Sequence, residues 1–237
     1  MHQWILHIPV LTTLFAAVFT VVLFRHCQRR NWAPHLAWWT AGVFLYGVGT
    51  FTEGFTTLFG WSPGIFRAWY ISGALLGGFP LAQGTVYLLM KRKTANILSG
   101  VMVPLILIAA TCALLSPLNT GAAELQRLSG KVFEWQWVRA FSPFINLYAF
   151  FFLAGGAVYS AWHYRQAPAL QHRYTGNIFI AIGAILPGIG GTFTRMGYME
   201  VLYVTELMGL LLIYIGYRYN VANPLREPHS SINTSAA

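Results

Sequence analysis

Long apolar runs follow one another along this chain, and short polar or basic intervals separate them. Each run is about 20 residues long, which is the length that a helix needs to cross the hydrocarbon core of a bilayer. A soluble protein would have no need for a series of such runs. We therefore predict an all-α, polytopic membrane protein in which residues 1–237 form a single transmembrane domain. Seven helices are expected, over residues 4–24, 35–55, 67–90, 97–115, 141–164, 174–194 and 200–217.

The composition supports a membrane protein. Hydrophobic residues make up 56% of the chain and charged residues only 9%. A formal net charge of +9 would suggest a nucleic-acid partner in a soluble protein, but here the cations sit at the ends of the apolar runs, where they fix topology. We expect the lipid bilayer as the main partner and no nucleic acid. Cys27 and Cys112 lie far apart and give neither a disulfide framework nor a metal-binding spacing.

The distribution of lysine and arginine predicts the orientation of the helices. If the first connection is cytoplasmic, ten of the 15 basic residues fall on the inner side, which is the side that positive charge favours. Positive charge follows the first run, as in a retained anchor and unlike a cleaved signal peptide. We expect a multi-pass protein of a bacterial-type inner membrane, with its N-terminus outside and its C-terminus in the cytoplasm. The inner cations are Arg25, Arg29, Arg30, Lys91, Arg92, Lys93, Arg165, Arg173, Arg218 and Arg226.

Two segments fall outside the predicted spans. The longest polar interval, residues 117–140, is expected on the outer side, where apolar residues at helical spacing indicate a short interfacial helix. Those apolar residues are Leu125, Leu128 and Val132. Residues 221–237 are rich in Ser, Thr, Asn, Pro and Ala and are expected to form a disordered tail.

The tetrapeptide Gly-Thr-Phe-Thr occurs twice, at residues 49–52 and 191–194. Each copy ends the second helix of a three-helix unit if the fourth predicted helix, residues 97–115, is a linker. Because one linker helix separates the units, both have the same direction across the membrane. We therefore predict a 3+1+3 parallel pseudo-repeat.

Ionisable residues within the predicted spans are few and informative. The chain has no aspartate; Glu53 follows the first tetrapeptide directly, whereas Arg195 follows the second. A charge near the bilayer centre costs about 2.5 to 3.5 kcal/mol on insertion scales, so it normally finds a partner. Equivalent positions of parallel repeats face each other, which predicts a pair between Glu53 and Arg195. A second pair is predicted between Arg67 and Glu206.

Two interpretations of these polar residues remain open. In the first, small residues such as Gly73 and Gly77 let helices approach closely, and the charges only fasten helix ends. In the second, the polar residues line an outward-facing pocket for a small polar or amphipathic ligand, because ionisable groups inside a membrane are functional candidates. The candidate ligand-binding residues are Glu53, Arg67, Tyr70, Gln83, Arg195 and Glu206.

No cofactor, metal ion or catalytic residue is predicted. Four histidines form two pairs nine residues apart, but they lie at the cytoplasmic helix ends rather than inside the bundle, where a haem would need them. Lysine occurs only outside the spans, which excludes a retinal Schiff base. Common hydrolase, metalloprotease and phosphate-binding motifs are absent, although acid or base chemistry by Glu53 or Glu206 stays open. The histidines are His26, His35, His163 and His172.

The 3+1+3 plan resembles that of the SWEET and PQ-loop transporters, whose units are parallel three-helix bundles joined by a linker helix. Their Pro-Gln motif does not occur here, so this resemblance implies an architecture and no site residues. The plan also resembles the seven-helix sensor regions that precede bacterial histidine kinases. Residues 66–74 and 81–89 are similar to uncharacterised bacterial multi-pass proteins, and this likeness implies no function.

We predict a protein that binds a small molecule in the outer half of the bundle and carries it across the membrane. The alternative is a membrane sensor, receptor or accessory subunit that acts through a partner protein, with the inner loops and the tail as docking surface. That partner would be a second copy of the chain or another membrane protein. The sequence contains no positive indication of an enzyme.

Overall fold

The computed structural model of this protein describes residues 7–122 and 128–221. These residues form helices and turns without any β-strand, and only Leu118 and Phe133 form an isolated antiparallel bridge. The all-helical prediction is confirmed, and five apolar helices of sufficient length indicate a bilayer environment. Almost all of the predicted disordered tail, residues 221–237, lies outside the described residues. The five helices are Ile8–Arg29, Arg92–Leu115, Gln136–Tyr164, Pro168–Thr194 and Met199–Val221.

Helices account for most of the described chain, and two π-helical turns interrupt them. Tyr70–Leu75 continues the third helix, and Phe150–Gly155 joins the sixth helix to the seventh. The helices are α1 (Ile8–Arg29), α2 (Pro34–Phe59), α3 (Pro63–Trp69), α4 (Phe79–Leu89), α5 (Arg92–Leu115), α6 (Phe141–Ala149), α7 (Gly156–Tyr164), α8 (Gln171–Arg195) and α9 (Met199–Val221).

The third predicted helix, residues 67–90, is broken in the middle. α3 and its π-helical turn end before α4 begins. Gly77 permits the intervening turn, because a side chain there would lie 2.5 Å from the carbonyl oxygen of Gly73. Pro80 occupies the first turn of α4, where its missing N–H costs no helical hydrogen bond. This segment is therefore a broken helix rather than one continuous span.

The loop between α5 and α6 also differs from its prediction. Where the structure describes it, this loop has short 3-10 turns at Gly130–Val132 and Gln136–Ala140 and no α-helix. Leu128 and Val132 are buried against the bundle, whereas Leu125 lies outside the described residues. Leu128 and Val132, whose spacing predicted an interfacial helix, therefore anchor the loop in the core.

Six helical segments form a closed ring. α1 packs on α2, α2 on the broken third segment, and the third segment on the α6–α7 segment. The α6–α7 segment packs on α8, α8 packs on α9, and α9 returns to α1. α5 stands outside the ring, against the third and α6–α7 segments, and Val101, Leu107 and Leu115 on its surface are exposed.

The two ends of the ring differ in charge. At one end, which we call the basic end, α1, α4, α7 and α9 finish and α2, α5 and α8 begin. This end carries basic residues in the short connections and at the adjoining helix ends, including Arg30, Lys91, Arg165 and Arg173. The other end, which we call the loop end, carries residues 116–122 and 128–140. The ends are thus distinguished by sequence as well as by position.

α8 and α9 meet along glycines spaced seven residues apart. Gly176 faces Gly216 and Gly183 faces Gly209, so closely that a side chain on one would touch the carbonyl oxygen of the other. At Gly183 the added carbon would lie 2.6 Å from the oxygen of Gly209. Such small-residue seams let helix backbones approach and gain van der Waals contact within a membrane.

We expect Gly183→Ala to destabilise the protein by about 1–3 kcal/mol, because the methyl group must push α8 away from α9. Gly191→Ala on the same helix is the matched control, since nothing lies within 4 Å of the added carbon there. Alanine also favours a helix by up to about 1 kcal/mol over glycine. Unfolding in detergent measures both changes, and equal stability of the two variants would show that the seam does not depend on glycine.

Candidate functional site

A cavity of about 320 Å³ lies inside the ring. All six ring segments contribute to its wall, and its volume falls in the range of small-molecule sites, about 300–1,000 Å³. Helix ends that meet at the basic end surround its mouth, so the cavity opens there. The cavity is not lined by the residues that were predicted to form an outward-facing pocket. The residues at the mouth include His26, His35, Leu89, Tyr164 and Arg173.

Hydrogen-bonded polar side chains surround the mouth. Nδ1 of His26 lies 2.7 Å from the hydroxyl oxygen of Tyr217, and this hydrogen bond joins α1 to α9. Asn177 donates to the carbonyl oxygen of Arg173 over 2.8 Å and to Oδ1 of Asn220 over 3.3 Å. α1, α8 and α9 therefore hold these polar groups in defined positions.

The mouth also carries positive charge. Arg173 is exposed, and its guanidinium carbon lies 5.7 Å from the centre of the Tyr164 ring. Arg29 and Arg30 lie near His26 at the same end of the ring. No acidic residue occurs among the described residues that line the cavity. The mouth is therefore suited to an anionic group.

The deeper wall of the cavity is apolar. Phe19, Val43 and Ile213 line it from α1, α2 and α9. Trp39 adds its ring to this wall, and its indole nitrogen donates to the carbonyl oxygen of Leu81 over 3.1 Å. Because the protein satisfies the polar atom of Trp39, a ligand would meet only the apolar part of this side chain.

Close packing between α2 and α4 fixes Trp39. A side chain at Gly84 would overlap the Trp39 ring and would lie 2.8 Å from the carbonyl oxygen of His35. A side chain at Gly42 would lie 2.9 Å from the backbone nitrogen of Leu81. The two glycines therefore let α4 approach α2 closely enough for the Trp39 hydrogen bond to form.

A packed layer closes the cavity toward the loop end. Leu210 is fully buried and Tyr46 is 9% exposed, each one helical turn beyond the cavity residues Ile213 and Val43. The Tyr46 hydroxyl donates to the backbone carbonyl oxygen of Glu206 over 3.0 Å and so joins α2 to α9. The cavity is thus separated from the loop end by buried side chains and an interhelical hydrogen bond.

Two glutamates, Glu53 on α2 and Glu206 on α9, meet beyond this layer. Their carboxyl groups lie next to each other. Glu53 is 5% exposed, and its Oε1 accepts a hydrogen bond of 2.9 Å from the indole nitrogen of Trp69. The Oε2 atoms of both glutamates are buried and receive no hydrogen bond from the described side chains or backbone. This carboxyl pair is the main polar contact inside the bundle that the sequence did not predict.

A close approach of backbones positions the carboxyl pair. A side chain on Gly49 of α2 would lie 3.2 Å from the Cα atom of Gly73 in the π-helical turn. Trp69 lies one turn before Gly73, and Glu53 lies one turn after Gly49. The approach of the two glycines therefore brings the indole of Trp69 against the Glu53 carboxyl group.

Arg67 and Tyr70 fasten the loop of the loop end. Arg67 donates to the carbonyl oxygen of Ser116 over 3.0 Å. The Tyr70 hydroxyl donates to the carbonyl oxygen of Val138 over 3.3 Å and accepts from the Ser142 hydroxyl over 3.3 Å. These contacts join α3 and its π-helical turn to the loop and to α6. Both polar residues therefore have hydrogen-bonding partners within the protein.

Gln83 is fully buried and joins three helices. Its Nε2 donates to the carbonyl oxygen of Ala95 over 3.1 Å and to Oγ of Ser99 over 2.7 Å. Its Oε1 accepts from the Tyr148 hydroxyl over 2.5 Å. Since the protein satisfies both ends of the amide, Gln83 connects α4, α5 and α6 rather than facing the cavity.

The structure brings together two of the six predicted ligand-binding residues, Glu53 and Glu206. None of the six lines the cavity. The predicted pair between Arg67 and Glu206 does not form, because Arg67 binds the loop while Glu206 faces α2. Arg195 ends α8, but its side chain lies outside the described part of the structure, and its pairing with Glu53 stays a prediction.

The polar residues at the cavity mouth are not among the site residues predicted from the sequence. They lie within apolar helices at spacings of three and four residues, which places each set on one helix face. This spacing is a signal in the sequence, but polar residues near helix ends are usually solvated, so the spacing alone does not indicate a site. The missed residues are Arg173 and Asn177 on α8 and Tyr217 and Asn220 on α9.

The structure separates the two histidine pairs. His26 and His35 both line the cavity, whereas His163 is exposed and packs against the Tyr164 ring. Within the described ranges there is no group of three or more His, Cys, Asp or Glu residues that could hold a metal ion. Because they line the cavity, His26 and His35 are candidates for contact with a ligand.

Comparison of the chain with models of protein families, with curated proteins and with solved structures finds no match. The function is therefore inferred from the central cavity and the carboxyl pair.

Proposed function

We propose that this protein is a membrane carrier of small amphipathic anions and that the central cavity is its binding site. The observation that carries the proposal is a cavity walled by all six ring segments, open at the basic end and closed toward the loop end. A site inside the bundle with access from one side is the form that a carrier takes in one of its states.

The shape and chemistry of the cavity support an amphipathic ligand. An apolar body would pack against Phe19, Val43 and Ile213, and each roughly 100 Å² of apolar ligand surface buried there contributes about 2.5 kcal/mol. An anionic head would lie near Arg173 and His35 at the mouth. A ligand bound in this way would direct its charge toward the basic end.

We also propose that the chain crosses the membrane seven times, with the basic end in the cytoplasm. α2 and the broken third segment complete the ring with the apolar helices, which supports seven crossings of the membrane. The excess of cations supports a cytoplasmic basic end, so the cavity would face the cytoplasm. Contacts of α1 with α9 and of α4 with α6 occupy equivalent positions in two three-helix units, which supports the 3+1+3 parallel plan.

We expect Arg173→Gln to weaken binding of a naphthalenesulfonate, an amphipathic anion with a rigid apolar body. The expected loss is roughly fivefold, or about 1 kcal/mol, because a partly solvated charge contributes on that order. The fluorescence of the probe reports its binding to purified protein in lipid nanodiscs.

Arg218→Gln is the matched control for this experiment. Arg218 is exposed at the same end, but its guanidinium donates to the Tyr214 hydroxyl over 3.1 Å and it does not line the cavity. We expect the Arg218→Gln variant to bind the naphthalenesulfonate with wild-type affinity. Equal weakening by both changes would assign the effect to general surface charge, and a wild-type protein without saturable binding would contradict the proposed site.

A further inference from the structure

We propose that Glu53 and Glu206 share one proton, so that the carboxyl pair is a proton-binding site at the closed end of the bundle. The pair joins α2 to α9, which the hydrogen bond from Tyr46 also joins. The existence of this site does not depend on the proposed carrier function. Its role in transport, described below, rests on that function.

The geometry of the pair favours a shared proton. Trp69 supplies one hydrogen to Oε1 of Glu53, but the buried Oε2 atoms of both glutamates have no donor among the described residues. Two carboxylates in contact repel each other, and each buried acceptor without a donor costs about 1–3 kcal/mol. A proton on one carboxyl group supplies an O–H donor to the other, so it removes the repulsion and satisfies an acceptor.

Among the described side chains around the pair, none supplies a positive charge that would neutralise the two carboxylates. No described basic side chain contacts either carboxyl group. Arg67 points to the loop, and α8 ends at Arg195, whose side chain lies outside the described part and therefore enters the test as a variant. The other groups facing the pair are Tyr46 and Thr57 of α2, Trp69 of α3 and Tyr203 of α9, with Glu200 beyond Tyr203. On the α1 side, Thr13 lies 3.0 Å from the hydroxyl of Thr50, which is about one helical turn from Glu53.

The shared proton links the loop end to pH. While the proton is bound, α2 and α9 are held together and the loop end stays closed. When the carboxyl O–H bond breaks and the proton passes to water, two carboxylates remain in contact, and their repulsion favours separation of α2 from α9. In the carrier this step would open the loop end and couple movement of an anion to movement of one proton.

The stability of the purified protein tests the proton site without any ligand. If the folded protein holds a proton that the unfolded chain releases, stability must fall as pH rises. We expect the equilibrium constant for unfolding of the wild type to rise about tenfold per pH unit through the neutral range. Glu206→Gln and Glu53→Gln should lose this slope and be more stable than the wild type at alkaline pH, because an amide supplies an N–H donor without a charge.

Glu200→Gln on the same helix is the matched control and should keep the wild-type slope. Infrared spectroscopy of the wild type provides a second readout that requires no variant. At neutral pH we expect a carbonyl band of a protonated carboxyl group, which Glu53→Gln and Glu206→Gln remove and Glu200→Gln retains. A wild type with neither the band nor the slope would overturn the proposal.

Two further results would also overturn it. The first is a wild-type stability that depends on sodium concentration instead of pH, which would assign the pair to a metal cation. The second is a wild type without the band and an Arg195→Gln variant that gains it, because an arginine partner would keep Glu53 ionised without a shared proton. A band and slope without any exchange of anions would leave the proton site standing and remove the carrier function. Exchange of anions by a protein that shows neither the band nor the slope would support the carrier function and remove the proton site.

Discussion

Ala157→Phe is expected to abolish saturable binding of the naphthalenesulfonate, with affinity reduced roughly a hundredfold or more, which corresponds to about 3 kcal/mol. Ala157 is 3% exposed and lies in the cavity wall on α7. The phenyl ring would extend into the space that the apolar body of the ligand occupies. Since the cavity is empty of protein atoms, the ring can be accommodated there without rebuilding the core, and folding should persist.

Val158→Phe is the matched control for this change. Val158 is the next residue on α7, but it is 54% exposed on the outer surface of the bundle, where a phenylalanine would face lipid. We expect wild-type affinity for this variant. Unchanged binding by Ala157→Phe in a folded protein would place the ligand outside the cavity, and equal loss in both variants would indicate damage to α7 as a whole.

Gln83→Leu is expected to be the most destabilising conservative change inside the bundle, by about 2–4 kcal/mol. Leucine has a similar volume, but it removes three hydrogen bonds that join α4 to α5 and α6. Interhelical hydrogen bonds in membranes contribute about 0.6 kcal/mol on average and up to about 1.7. The partners left without a donor or acceptor add to this cost.

A double-mutant cycle with Tyr148→Phe tests the origin of that loss. Because Tyr148 donates directly to Gln83, the two changes should be less than additive, whereas distant changes add. Unfolding in detergent provides the free energies. If Gln83→Leu leaves stability unchanged and abolishes ligand binding, Gln83 contacts the ligand, as the sequence analysis suggested, and does not act as a connection between helices.

The all-helical class could be predicted, because a segment that crosses a membrane must be long and apolar and must satisfy its backbone hydrogen bonds internally. α1 and α9 both contain an apolar stretch long enough to cross a bilayer. The break in the third segment could not be predicted in the same way. Gly77 and Pro80 are tolerated inside membrane helices, and only their contacts with Gly73 and the first turn of α4 decide that the helix stops.

The site residues could be predicted only in part. Glu53 and Glu206 were recognisable, because an ionisable group in an apolar run is costly and therefore informative. Their partners were not recognisable, since the sequence carries no information on which helix faces which, and opposite charges were the simplest assumption. The cavity depends on six segments meeting, so Asn177 and Asn220 acquire meaning only when α8 and α9 are placed together.

Exchange of the naphthalenesulfonate across proteoliposome membranes tests the carrier most directly. Purified protein is reconstituted with unlabelled probe inside the vesicles, and uptake of labelled probe from outside is followed. The carrier account predicts uptake that unlabelled probe inside the vesicles accelerates, and that Ala157→Phe abolishes while Val158→Phe leaves it unchanged. Saturable binding without any exchange would contradict a carrier and would instead fit a receptor that detects the ligand in this cavity.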